Sequence, residues 1–134
     1  MLSDSTLRDA WCDIRDDDTE TNWMLLGYGS YKKTLQLYGT GSGGLKEMIK
    51  NLKEEVMYGY LRTVYGDSDR AKFVFITYVP DSLSGIAKAK ANMHKPHVDR
   101  FFKYNHAQFQ VMSIDEISEE IVHAKLKAAS GANY

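Results

Sequence analysis

The sequence RAKFVFITYVPDSLSGIAKAK, residues 70–90, decides the fold class of this chain. Residues 73–79 are apolar on both faces of an extended strand apart from Thr77, which predicts a central strand covered on both sides of a sheet. Pro80 and the two polar residues after it form a turn, and a helix follows from about Ser84. The stretch therefore predicts a sheet with helices on both faces, and it places cations at both ends of its most buried strand.

The composition bounds the class of protein. The chain has 134 residues, which predicts a single domain over residues 1–134 with a core of its own. The formal net charge is −1, which argues against bulk nucleic-acid binding because that requires broad neutralisation of phosphates. Cys12 is the one cysteine, so an intramolecular disulfide is excluded. Without a signal-peptide pattern in residues 1–9, we expect a cytoplasmic protein, and the longest apolar run is too short for membrane insertion.

Hydrophobic periodicity and turn residues predict the element order α-β-β-α-β-β-α-β-α. The first predicted elements are a helix over residues 4–16, capped by Ser3, and a hairpin of strands 22–28 and 33–39 around Gly29 and Ser30. A second helix, which carries Leu45, Met48, Ile49, Leu52 and Val56, is followed by a hairpin of strands 57–65 and 72–79 around residues 66–69. A third helix begins at Ser84, and a strand over residues 108–112 leads to a fourth helix. Pro96 is expected to break or kink the third helix. Ser113 and Glu116 have capping-box spacing ahead of the fourth helix. Its inward side is predicted to carry Ile117, Ile121, Ala124 and Ala128.

The third helix carries two of the cations, Lys88 and Lys90. At about 100° per residue, Lys88 points away from an apolar side of this helix, and Lys90 flanks that side. The apolar side consists of Ile86, Ala89 and Met93. Ala87 and Ala91 form a strip of small residues that would let another surface approach closely, while the lysines would steer an acidic partner. A solvated helix face explains the same spacing equally well.

Three glycines offer a candidate phosphate site. Gly39, Gly41 and Gly44 match G-x-G-x-x-G, a motif that places pyrophosphate at a helix N-terminus. The preceding strand belongs to a hairpin rather than to a βαβ unit, and no acidic residue ends a strand about 20 residues later. The motif therefore predicts a mobile loop, and a small nucleotide-binding enzyme remains as a distant alternative.

Other chemistry-bearing residues are also expected to be structural. His94 and His97 could share a metal ion with Asp99 near them, but Pro96 between them disturbs the helical register, so both histidines are expected to be surface polar residues. Cys12 has acidic neighbours that would raise the pKa of a thiol, so we expect a semi-buried helix residue rather than a nucleophile. The carboxylates occupy helix ends or solvent faces. The sequence thus predicts no catalytic residue, no metal and no cofactor.

Five stretches carry a resemblance to a known family. They are RDAWCDIRDD, NWMLLGY, RAKFVFITYV, SGIAKAK and EISEEIVHAKLKAASGANY, and together they cover most of the chain in order. The chain resembles the actin-depolymerising-factor homology (ADF-H) family and, within it, the coactosins. The strand start R-x-K-F-x-x-I-T and the end K-x-x-x-G-A-N-Y are the most specific of these matches. The resemblance implies an α+β fold, with a five-stranded mixed sheet between two pairs of helices.

The same resemblance implies a function and its residues. It implies a monomeric, cytoplasmic actin-binding protein that coats the side of filaments and opposes barbed-end capping without strong severing. The family's filament-contact lysine falls on Lys72, with Arg70 two residues before it, and the family's basic pair falls on Lys88 and Lys90. The cations at the two ends of the apolar strand are then two separate contacts with acidic actin.

Some positions depart from the cofilin pattern. Cofilins carry a bulky methionine after the basic pair, where this chain has Ala91, and their third helix continues where this chain has Pro96. Both differences argue against cofilin-like severing and monomer binding, which stays as the alternative. Ser3 stands where cofilins carry a phosphorylation site, but N-capping explains it without that role.

Overall fold

The computed structural model describes residues 5–28, 35–64 and 70–129. Within these ranges the chain forms helices α1 (Ser5–Arg15), α2 (Gly44–Lys50), α3 (Gly85–Phe101) and α4 (Glu119–Ala129), and strands β1 (Trp23–Gly27), β2 (Gln36–Gly41), β3 (Met57–Val64), β4 (Ala71–Tyr78) and β5 (Ala107–Val111). A short 3-10 helix, Ile114–Glu116, precedes α4. The predicted cap at Ser3 and the two predicted hairpin turns lie outside the described residues.

The five strands form one mixed sheet in the order β2-β1-β3-β4-β5. Neighbouring strands are antiparallel except β4 and β5, which run parallel. A parallel pair needs a long crossover, and α3 supplies it. The predicted mixed sheet is confirmed, and β4 is an inner strand as its two apolar faces indicated.

Two pairs of helices cover the sheet, as predicted. On one face, α1 and α3 bury Leu7, Ile14, Ala91 and Val98 against the sheet, together with Phe102 directly after α3. On the other face, α2 and α4 bury Leu45, Met48, Val122 and Leu126. Successive side chains of β4 alternate between these two cores, with Phe73 and Phe75 in the first and Val74 and Ile76 in the second. This alternation explains why residues 73–79 lack a polar face.

Helix α3 does not break at Pro96. It begins after Ser84, whose Oγ accepts a hydrogen bond from the backbone N–H of Ala87 at 3.2 Å, and it continues through Pro96 to Phe101. The prediction that Pro96 breaks the helix was wrong. Pro96 lies on the exposed side of the helix, where water can solvate the backbone groups that a proline leaves unpaired.

The inward side of α4 also differs from the prediction. Val122 and Leu126 are buried and Ala124 and Ala128 are exposed, although Ile117 is buried as expected. The capping box of Ser113 and Glu116 is present, but it caps the 3-10 helix rather than α4 itself. Because α4 begins later, the larger side chains set its rotation against the sheet.

Helix α2 is shorter than predicted. It ends at Lys50, so Leu52 and Val56 lie beyond it. Val56 is nonetheless buried, at 4% exposure, directly before β3. The apolar repeat that suggested one long helix therefore belongs to a helix and to the segment that leads into the next strand.

Candidate functional site

The first candidate contact, Arg70 and Lys72, lies where β4 begins. Arg70 is exposed and Lys72 is half-buried opposite Thr63 of β3. Strand alternation places Lys72 on the α2–α4 face, since Phe73 faces α1 and α3. Lys72 thus lies on the strand itself, whereas Arg70 directly precedes it.

His106 fastens this end of β4. The backbone N–H of Phe73 donates a hydrogen bond to His106 Nδ1 at 3.0 Å, and the backbone N–H of His106 donates one to the Phe73 carbonyl at 2.7 Å. Partial burial, helped by the nearby charges of Lys72 and Arg15, lowers the pKa of His106. The imidazole is therefore neutral at physiological pH, as its acceptor role requires.

The two lysines of the second candidate pair, Lys88 and Lys90, contact different partners. Lys88 Nζ donates to the Asp81 carbonyl at 3.0 Å and lies 3.4 Å from Asp81 Oδ1. Lys90 Nζ lies 5.1 Å from the ring centroid of Tyr28, which follows β1. The two lysines are on one helix, but the structure does not place them side by side.

The two candidate contacts are far apart. Lys72 lies near the start of the eight-residue β4 and Asp81, the partner of Lys88, lies just beyond its end. At about 3.3 Å per residue, the part of β4 from Lys72 to Tyr78 alone spans roughly 20 Å. The two pairs of cations thus lie towards opposite ends of β4, and their roles as actin contacts stay a prediction.

The outward face of α3 is the feature that the sequence analysis misassigned. Ile86 and Met93 are 84% and 70% exposed, whereas Ala91 is 3% exposed and packs into the core. The expected strip of small residues between the lysines is thus partly a core contact, and the outer face is apolar. The repeat that leads into the core, at Ala91, His94, Val98 and Phe102, was the signal that could have set the helix rotation correctly.

The burial of Ala91 also changes the comparison with cofilins. A methionine at this position would enter the core rather than a partner's surface, so its absence says nothing about the exposed face of α3. The predicted argument against monomer binding from Ala91 was therefore wrong.

The two histidines of α3 have separate partners. His94 Nδ1 lies 2.7 Å from the Tyr28 hydroxyl, and His97 Nδ1 lies 3.0 Å from Arg100 Nη2. Burial, with smaller effects from Lys90 and His97, lowers the pKa of His94. In the described part of the chain, no three histidine, cysteine or acidic side chains come together as metal ligands.

Two glycines of the motif, Gly39 and Gly41, pack against Trp23, whereas nothing lies within 4 Å of the Cβ position of Gly44. Gly39 and Gly41 belong to β2, so the predicted mobile loop was wrong for them. The Glu47 carboxylate accepts hydrogen bonds from Trp23 Nε1 at 2.8 Å and from the Gly43 N–H at 3.0 Å. A phosphate at the start of α2 would therefore meet a carboxylate whose pKa is lowered by the Trp23 and Gly43 hydrogen bonds.

The remaining candidates give no site. Cys12 is exposed, so the prediction of a semi-buried residue was wrong. None of the helices in the described ranges combines the length and the apolar character that crossing a bilayer needs.

Comparison with known proteins identifies what the chain is similar to. Residues 1–127 match the family of cofilin/tropomyosin-type actin-binding proteins. The chain is 34% identical to coactosin of Dictyostelium discoideum, over 99% of this chain and 93% of that protein. It is also 29% identical to Drebrin-like protein A of Xenopus laevis, over 97% of this chain, but it spans 29% of the length of that longer protein.

Solved structures give the same result. The crystal structure of coactosin from Entamoeba histolytica superposes with a TM-score of 0.82 and 27% identity, covering 90% of this chain and 91% of the other. The solution structure of mouse coactosin, described as an actin filament binding protein, superposes with a TM-score of 0.78 and 26% identity, covering 97% and 92%.

Proposed function

The chain belongs to the cofilin/tropomyosin-type actin-binding protein family, and on that premise we propose that it binds the side of actin filaments. We further propose that it acts as a monomeric single domain in the cytoplasm, without catalysis, and that it opposes capping of filament ends without strong severing. The mouse coactosin described as an actin filament binding protein supports this proposal. The coactosin of Dictyostelium, at 34% identity, supports the assignment to the coactosin type.

The outward face of α3 carries the proposal. Ile86 and Met93 expose 84% and 70% of their surface beside two lysine-bearing turns. Neither side chain contributes to the core of this domain, so the fold does not explain why both are apolar. Exposed apolar side chains rimmed by charge are typical of a protein-binding surface.

The cations at the start of β4 form the second contact. Lys72 and Arg70 stand at the end of β4 opposite to Asp81, the partner of Lys88, so one flat surface patch does not include them all. A filament offers neighbouring subunits, which can engage two separated patches at once. Two weak contacts held by one rigid domain reinforce each other, because the second forms at high effective concentration.

Co-sedimentation with actin filaments at two salt concentrations tests the proposal. We expect the wild-type protein to pellet with filaments, and Lys72→Ala to weaken binding at least roughly tenfold, since truncating a close interfacial charge costs about 2 kcal/mol or more. Lys46→Ala on α2 removes the same charge from an exposed position away from β4 and serves as the control. Unchanged pelleting of the Lys72 variant would exclude this contact.

A cofilin-like severing factor that also binds actin monomers is the second candidate. The exposed Ile86 and Met93 support it as much as they support filament-side binding, because they also give α3 an apolar anchor for a groove. Fluorescence microscopy of single filaments distinguishes the two candidates. A coactosin-type protein leaves filament length unchanged as it binds, whereas a severing factor increases the number of filament ends.

A further inference from the structure

The guanidinium of Arg15, at the end of α1, is held by aromatic rings from three parts of the chain. Its Cζ lies 5.2 Å from the ring centroid of Trp11, 4.8 Å from that of Phe73 and 4.3 Å from that of Tyr104. Rings at these distances attract a cation through their faces and restrict its motion. Among the described residues, no carboxylate lies within ion-pair distance of this guanidinium.

Arg15 opens onto a groove at the start of β4, which we call the α1–β4 groove. The groove is lined by Arg15, Asp17, Arg62, Val64, Arg70, Ala71 and Phe73. One lining side chain, Val64, is 54% exposed, and Tyr104, whose ring lies 4.3 Å from Arg15 Cζ, is 59% exposed. The groove therefore combines three arginines and one carboxylate with apolar contact surface.

Arg62, which also lines this groove, stabilises the fold through hydrogen bonds to backbone carbonyls. Its Nη1 donates to the carbonyls of Ile14 at 2.8 Å and Asp16 at 2.6 Å, and its Nη2 donates to the carbonyl of Thr19 at 2.7 Å. These bonds attach the end of α1 to β3 and use much of the donor capacity of Arg62. Arg15 differs because aromatic rings surround its guanidinium and, within the described ranges, a single side chain, the Tyr60 hydroxyl, interacts with it as a hydrogen-bond partner. Most of its five N–H donors are therefore not used by the side chains around it.

We propose that the α1–β4 groove binds an acidic segment of the actin filament and that Arg15 is its central contact. The inference rests on the proposed function and extends the contact from Arg70, which lines the groove, to the end of α1. A guanidinium already confined among rings loses little conformational entropy when it binds a carboxylate, and its planar fork matches a carboxylate in a bidentate geometry. Tyr104, exposed beside it, covers the contact and excludes water from it.

The test compares Arg15→Gln with Arg8→Gln in filament co-sedimentation at low and high salt. Arg8 is an exposed arginine of the same helix, about 10 Å or two turns from Arg15. We expect Arg15→Gln to weaken binding roughly tenfold at low salt and to flatten the salt dependence, while Arg8→Gln stays within about twofold of wild type. Arg15→Lys keeps the charge but loses the fork, so we expect an intermediate loss.

A second measurement needs no variant and covers the case in which Arg15→Gln fails to fold. Hydroxyl-radical footprinting of the wild-type protein, with and without filaments, reports the exposure of Tyr104 directly. We expect filaments to protect Tyr104 and to leave Tyr38 of β2 unchanged.

The outcomes separate the two proposals. If the wild-type protein does not pellet with filaments, the proposed function fails. If it pellets and Arg15→Gln binds like Arg8→Gln, or if Tyr104 keeps its reactivity on filaments, the function stands and the role of Arg15 is overturned.

Discussion

Removing the outward apolar side chains of α3 should weaken filament binding and leave the fold intact. The perturbation is the double variant Ile86→Ala and Met93→Ala. Both residues lie on the solvent side of α3, at 84% and 70% exposure, and alanine favours a helix. We therefore expect the free energy of unfolding to change by less than about 0.5 kcal/mol.

The expected loss of affinity follows from the exposed fractions. Burying a whole side chain of this size is worth about 1.5–3 kcal/mol. Scaled by exposures of 84% and 70%, complete coverage by actin would contribute about 1.3–2.5 kcal/mol for Ile86 and about 1–2 kcal/mol for Met93. A partner that covers half of this surface gains about 1–2 kcal/mol, so Kd should rise roughly five- to thirtyfold.

The assay is co-sedimentation at low and high salt, with Lys88→Ala plus Lys90→Ala as the matched comparison on the same helix. An apolar loss persists at high salt, whereas the loss from the lysines shrinks as exposed charges are screened. Filament binding of the Ile86 and Met93 double variant within about twofold of wild type at both salts would refute the assignment of this face. A large fall in its unfolding free energy would instead show that the side chains support the fold.

Three further predictions concern the fold. Gly41→Ala should destabilise the protein by more than about 1 kcal/mol in urea denaturation, because its Cβ would lie 2.6 Å from Trp23 Nε1, whereas Gly39→Ala should be tolerated because its nearest contact is 3.6 Å. Ala91→Met should lower the free energy of unfolding by about 1–3 kcal/mol through overpacking, and a variant as stable as wild type would contradict the burial of this site. Partial burial and neighbouring cations lower the pKa of His106 in the folded protein. As the pH falls below about 6.5, this histidine is therefore protonated more readily in the unfolded chain than in the folded protein, and the free energy of unfolding should decrease. His106→Asn should flatten that drop in the denaturation midpoint between pH 7.5 and 5, and an unchanged profile would show that His106 does not cause it.

The sheet could be predicted from sequence because its strands are marked locally. Residues 73–79 are apolar at nearly every position, and only a strand covered on both faces needs that pattern. The capping box at Ser113 was likewise visible in its own spacing, although it belongs to the 3-10 helix. Local signals predict which elements exist.

The rotation of the helices could not be predicted in the same way. On α3, Ile86 and Met93 are apolar without being core residues, so periodicity alone has no means to separate a binding face from a buried one. On α4, alanines share the apolar class with Val122 and Leu126, but the larger side chains bury more surface and decide which face turns inward. The rotation of a helix about its axis depends on which of its apolar faces buries more surface against the sheet, and the helical repeat of the sequence does not measure that surface.

Only some of the candidate contacts could be predicted from the sequence. Arg70, Lys72, Lys88 and Lys90 came from a resemblance to a family, but Arg15 did not, because its cage joins residues of α1, β4 and the segment before β5. The Trp23–Glu47 hydrogen bond, which fills the start of α2, also joins residues 24 positions apart. Contacts of this kind exist only after the chain has folded.

The parallel pairing of β4 with β5 has a consequence for the order of folding. Strands β3 and β4 follow each other closely in the chain and can pair early, whereas β5 can join only after α3 has crossed the sheet. Until then, β4 presents an unpaired edge, and it is a strand with apolar side chains on both faces. Such an edge is a template for another chain. Delayed docking of β5 would therefore expose nascent molecules to intermolecular strand pairing, and substitutions that slow this step should reduce the yield of soluble protein before they alter the stability of molecules that have already folded.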